Sequence, residues 1–161
     1  MTKVEAQNDE LMSVLRQAKD VAVRYYQLTG RPLGVTGEVA EYEAIRLLSL
    51  KPAIVRQEGF DAVRESNGRS ERLQIKGRRL FARVSKAGPR LGEIDLRKTW
   101  DAVVFVVLDE HYEAVAIYEA SRDAVTAMIA PDESDPESMR GKIPVAKFVR
   151  QAMKVWEMGP R

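Results

Sequence analysis

The chain has no cysteine, one histidine, two tryptophans and no long apolar run among its 161 residues. Without cysteine there are no disulfides, no thiolate metal sites and no thiol nucleophile. A single histidine, His111, cannot build a multi-histidine cage, so any metal must be held mainly by oxygen, as magnesium, manganese or calcium are. The longest uninterrupted apolar stretch is Ala102 to Leu108. A bilayer-spanning helix needs about 20 such residues. Residues 1–10 are polar and acidic, unlike a secretory leader. Nor is there a phosphate-binding glycine loop, since Thr36-Gly37-Glu38 lacks both its spacing and its Lys-Ser/Thr ending. These absences predict a cytoplasmic protein without a membrane partner.

What remains is a globular composition, 45% hydrophobic and 31% charged, in a length that suits a single domain. The net charge of +2 is unevenly spread. Between Arg64 and Lys98 stand eleven basic and four acidic residues, against fifteen basic and twenty acidic elsewhere. A basic middle between acidic ends points to a local anionic partner, nucleic acid foremost.

Apolar spacing predicts a helix from Val4 to about Tyr26, stopped by Thr29-Gly30-Arg31-Pro32. A second is expected from about Thr36, read as its N-cap, to Leu50, with Pro52 ending it. The period then changes. Ala53–Gln57 is a candidate short strand, and two alternating runs, Phe60–Ser66 and Glu71–Arg79, flank Asn67-Gly68, a strong hairpin signal. A basic connection, Phe81–Lys98, leads to a buried strand at Asp101–Asp109 and a partner at Glu113–Glu119. Ser121 should cap a short helix to Ile129, Pro131–Pro136 is an acidic loop, and Lys147–Met158 reads as a last helix. This order predicts one mixed α/β (α+β) domain over residues 1–161: a helical extension (1–30), a core (34–120) with a central sheet of about five strands, and C-terminal helices and loop (121–161).

A turn at Asn67-Gly68 makes paired positions sum to about 135, which sets Asp61 opposite Gln74 within a residue. Alternation puts Gln74 and Lys76 on one face of their strand and Leu73 and Ile75 on the other. Asp61, Gln74 and Lys76 therefore gather at neighbouring positions.

Asp61, a hairpin and Gln74-Ile75-Lys76, preceded by a helix carrying Glu38, resemble the PD-(D/E)XK nuclease superfamily, which has the restriction-endonuclease-like fold and includes Holliday-junction resolvases. Gly37-Glu38-Val39-Ala40-Glu41-Tyr42 resembles the helix motif of its resolvase-like members. The likeness runs from Gly34 to Gly77, with a continuation to Tyr118, and Gln74 stands where glutamate is commoner. The resemblance implies metal-dependent hydrolysis of nucleic-acid phosphodiesters, DNA before RNA, with Mg2+ or Mn2+ as cofactor. Asp61, the Gln74 amide oxygen, the Ile75 carbonyl and Glu38 would hold the metal, with Glu41 a further candidate. Lys76 would orient the scissile phosphate or attacking water. A homodimer would follow from the need for two sites to cut two strands.

The basic residues Lys76, Arg78, Arg79, Arg83, Lys86 and Arg90 form the expected phosphate-binding surface. A catalytically silent nucleic-acid-binding module and a protein-interaction partner of the same fold are the alternatives. His111 is expected to be a bystander, and Trp100 and Trp156 core or half-buried anchors.

Overall fold

A computed structural model describes residues 3–54, 59–80, 88–129 and 140–160. In chain order its elements are α1 (Lys3–Thr29), α2 (Thr36–Leu47), β1 (Lys51–Pro52), β2 (Ala62–Ser66), β3 (Arg69–Arg79), β4 (Ile94–Asp95), β5 (Ala102–Leu108), β6 (Ala114–Ser121), α3 (Arg122–Met128), β7 (Arg140–Gly141), α4 (Val145–Gln151) and β8 (Met153–Glu157). The fold is mixed α/β, as the sequence predicts. Six strands rather than about five form the central sheet, in the order β1-β2-β3-β5-β6-β8, and β4 and β7 make a separate two-stranded ladder.

The sheet grows from the hairpin. Asn67 and Gly68 both have positive φ, 51° and 74°, the conformation a two-residue primed turn requires. The register Ala62↔Leu73 to Ser66↔Arg69 keeps the predicted sum of 135. On its other edge β3 pairs with β5 in parallel, from Leu73↔Ala102 to Arg79↔Leu108, while β5 and β6 are antiparallel. Every residue of β5 is buried, because alternate side chains enter two cores. Ala102, Val104, Val106 and Leu108 join α1 and α2 on one face. Val103, Phe105 and Val107 meet α3 and α4 on the other. Each of the larger ones, the valines, Phe105 and Leu108, stabilises by about 1.5–3 kcal/mol.

Most boundaries shift by one to three residues, and four differences from the sequence expectation go further. Val35, not Thr36, is the N-cap of α2, because its carbonyl accepts the first helical bond, from Val39 N. The same helix stops at Leu47, where Ser49 turns with φ of 53° and Leu50 N–H returns to Ile45 O, so Pro52 lies in β1 and ends nothing. The short strand is Lys51–Pro52, paired with β2, rather than Ala53–Gln57, most of which lies outside the described residues. Lys147–Met158 is two elements, not one helix. α4 ends at Gln151, and Met153–Glu157 adds to the β6 edge as β8. The Pro131–Pro136 loop falls outside the described residues. Ser121 does cap α3, its Oγ accepting Ala124 N–H at 3.3 Å. Trp100 is buried and Trp156 half-buried. No helix among the described residues is long and apolar enough to cross a membrane.

Candidate metal and phosphate site

β2 opens its ladder at Ala62↔Leu73, whereas β3 runs on to Arg79. From Gln74 onward, one edge of β3 is covered by β5 and the other has no β2 strand against it. Asp61 lies just before β2, at that uncovered edge. Its backbone N–H donates to Leu73 O at 2.9 Å. Its carboxylate Oδ2 accepts the backbone N–H of Ile75 at 2.7 Å. Backbone and side chain of Asp61 thus bracket Gln74, within one residue of the predicted pairing. In a strand, a residue's N–H and C=O leave on the same side, so the Ile75 carbonyl faces the Asp61 edge.

Gln74 contributes a buried amide oxygen, Oε1, with no hydrogen-bond partner. Leaving such an acceptor unsatisfied costs about 1–3 kcal/mol. Lys76, half-buried two residues on, has its Nζ beside Gly92, 3.8 Å from where a Cβ on that glycine would stand. Burial holds the Lys76 ammonium below its usual pKa, Asp61 acts upward on it, Arg78 downward, and Glu41 and Glu93 upward. Burial likewise pushes the Asp61 carboxyl up, against the opposing effects of the Ile75 N–H and of Lys76.

α2 reaches this edge because Gly77 has no side chain. A Cβ there would collide with Ala40 Cβ. That contact brings the next residue of the helix, Glu41, towards the end of β3. Glu41 is half-buried and its carboxyl is pushed up by burial, then by Asp61 and Glu38, with Lys76 opposing. Glu38, one turn earlier, is exposed. Of the two helix carboxylates, Glu41 is the one that shares an electrostatic environment with both Asp61 and Lys76.

The basic residues divide. Arg78 Nε donates to Arg90 O at 2.7 Å, and Arg90 itself is exposed. Arg79 leaves the opposite face of β3. It donates to Tyr112 Oη and Glu110 O, and its guanidinium lies over the Tyr112 and Tyr26 rings at 4.1 and 5.0 Å. It therefore ties α1 to the sheet. Arg83 and Lys86 lie outside the described residues. His111 is exposed beside Glu110. Gly92 and Glu93 are the neighbours sequence reasoning missed. The surplus of arginine and lysine around them hid a lone glutamate, and only the chain's return past Lys76 brings it near.

The donor chemistry fits a hard divalent cation. A buried amide oxygen without a donor, a backbone carbonyl on the same edge and carboxylates disfavoured in their charged form would all gain from one. Among the described residues no three His, Cys, Asp or Glu side chains gather as a metal-binding group, so the neutral oxygens of Gln74 and Ile75 are needed to complete a site. No protein-family model matches the chain, and no curated protein matches it.

Proposed function

We propose that the chain is a metal-dependent nuclease of the PD-(D/E)XK type, hydrolysing phosphodiester bonds of nucleic acid, DNA before RNA, in the cytoplasm. The observation that carries this reading is the unpartnered, buried Gln74 Oε1 on the strand whose next N–H holds Asp61. Asp61, Gln74 Oε1, the Ile75 carbonyl and Glu41, with Glu38 behind it, would hold Mg2+ or Mn2+. The bound ion supplies neutralisation of the phosphate and a more acidic water. Asp61 is fixed by its bond to Ile75 N–H, so it needs no rearrangement to bind. Lys76 keeps an ammonium at the same edge, where it orients a phosphate oxygen. Arg78 and Arg90 supply the positive surface on which the backbone lies. Because Arg79 is engaged by Tyr112 and Glu110, it acts there as a structural residue.

The test is cleavage of plasmid DNA with Mg2+ or Mn2+ by the wild type and Asp61→Asn. Asparagine keeps an acceptor for Ile75 N–H, so the fold is retained. The expected result is a loss of at least about 100-fold, the upper range for disturbing a metal's support shell, with salt-sensitive DNA binding kept. Equal cleavage by the variant would remove the proposal. The lack of a third clustered acid among the described residues favours a second reading, a module that binds nucleic acid without cutting. Salt-dependent binding with no product from the wild type under either metal would select it.

A further inference from the structure

Seven large hydrophobic residues are exposed among those described, and five of them lie on α1: Leu11, Val14, Val21, Tyr25 and Leu28. With Ala18 they follow alternating steps of three and four, the spacing of a coiled-coil seam. This seam is not the face that α1 turns to the domain. The inner stripe lies one residue over, at Met12, Leu15, Lys19, Ala22 and Tyr26. There Ala22 is fully buried, Lys19 bridges Glu43 and Glu113 at 3.2 and 3.0 Å, and Tyr26 receives Arg79. The helix therefore has one occupied stripe and one open seam about 100° away, the rotation between successive residues at about 3.6 per turn.

We propose that the open seam pairs antiparallel with α1 of a second copy of this chain. Charge selects both the occupant and the direction. Of the two flanks of the seam, one carries Leu15 and Ala22, against the domain. The other carries Glu10, Gln17 and Arg24 in successive heptads. An antiparallel pair sets like flanks against each other. Glu10 then meets Arg24 of the second copy, Arg24 meets its Glu10, and Gln17 faces Gln17 on the two-fold axis. In this register Leu11 packs on Val21 of the second copy and Val14 on its Ala18. A parallel pair would leave Glu10 and Arg24 facing the apolar or uncharged flank. The interface is isologous and closed, so it stops at a dimer. It is independent of the nuclease reading, since it uses no residue of the Asp61 edge.

The test is sedimentation of the full chain, without metal or nucleic acid, with single-cysteine crosslinking. The chain has no native cysteine, so Gln17→Cys reports the axis alone. The expected result is a dimer that a short bis-maleimide joins through Gln17→Cys but not through Glu10→Cys. Val21→Glu should weaken the dimer at least about tenfold, equivalent to about 1.4 kcal/mol. Glu10→Lys and Arg24→Glu should each weaken it and their combination restore it. Val21→Ser and circular dichroism control for folding, and position 21 is 57% exposed. A wild type that stays monomeric at about 100 μM, well above the dissociation constant of a micromolar dimer, overturns the proposal. So does a dimer indifferent to Val21→Glu, or one without the Gln17 crosslink.

Discussion

Two aspartates flank β3 and make nearly the same bond to it. Asp101, just before β5, accepts Arg72 N–H at 2.8 Å. Asp61, just before β2, accepts Ile75 N–H at 2.7 Å. Their acidities move in opposite directions. The Arg72 side chain, bonded to both Asp101 oxygens, pulls that carboxyl below its usual range, against a smaller effect of burial. Asp61 is pushed up by burial, which the Ile75 N–H and Lys76 oppose. A backbone N–H alone does not set the direction in which a carboxylate's acidity moves; here a bonded cation does. Along β3 the contrast extends to the neighbours. At the hairpin end Arg64 is shared between Glu71 and Glu119. Neither Arg64 nor Arg72 is bonded to Asp61. At the open end Asp61, Glu41 and the half-buried Lys76 act on one another, and the Gln74 amide oxygen of the same strand has no partner. The first end is built to be stable as it stands. The second would gain from the ion that the proposed reading places there.

The change that should break this contrast most severely is Gly77→Ala. The added Cβ meets Ala40 Cβ and forces α2 off β3, at about 1–3 kcal/mol for overpacking. Urea unfolding should show that loss. Glu41 should titrate closer to an ordinary glutamate as its burial is relieved, while Asp101 is unmoved. A variant as stable as the wild type would show that α2 is not seated by this contact.

Asparagine substitutions at the two aspartates should act with opposite signs. Asp101→Asn should lower stability at pH 7 by about 1 kcal/mol, a modest figure because the pair is partly exposed. The Asp101 carboxyl is depressed in the folded chain, so its contribution is present above the unfolded value of about 3.9. It is lost as pH falls through the lower folded value, and the difference between variant and wild type closes in acid. Asp61 is raised in the folded chain. Its favourable contribution is full below about 3.9 and is lost as pH rises through the raised value. Metal-free Asp61→Asn should therefore be more stable than the wild type at pH 7, by up to about 1 kcal/mol, with no difference in acid. Saturating Mg2+ should reverse that order, because it stabilises only the chain that binds it. Two variants shifted in the same direction would erase the distinction between the two ends.

The hairpin end was legible because its signals are local. Asn67-Gly68 sets the turn, the turn sets the register, and the register brings Asp61 to Gln74. The Ala102–Leu108 run announced a buried strand for the same reason. What could not be read depends on how distant elements meet. β8 is a strand because β6 offers a free edge, although Lys147–Met158 carries helical spacing. Glu38 and Glu41 share one side of α2, and their different surroundings follow from where Ala40 seats on Gly77. Arg78 and Arg79 look alike in a basic run, yet alternation sends them to opposite faces, one towards Arg90 and one to Tyr26 and Tyr112. The basic count around Glu93 concealed a carboxylate that acts on Lys76.

The smallest effect, and the sharpest probe of the open end, is Lys76→Met. Methionine keeps the apolar stem that lies beside Gly92 and removes the charge. Two consequences oppose each other in stability. A half-buried ammonium no longer has to be desolvated, while Asp61 and Glu41 lose the cation that lowers them. The net change at pH 7 should stay within about 0.5 kcal/mol. The titrations should nonetheless move. Side-chain carboxyl NMR should find Asp61 and Glu41 both higher than in the wild type, and Asp101, held by Arg72, unchanged. An unchanged Asp61 would mean that Lys76 does not act on this edge, and its proposed role as the phosphate-orienting cation would go with it.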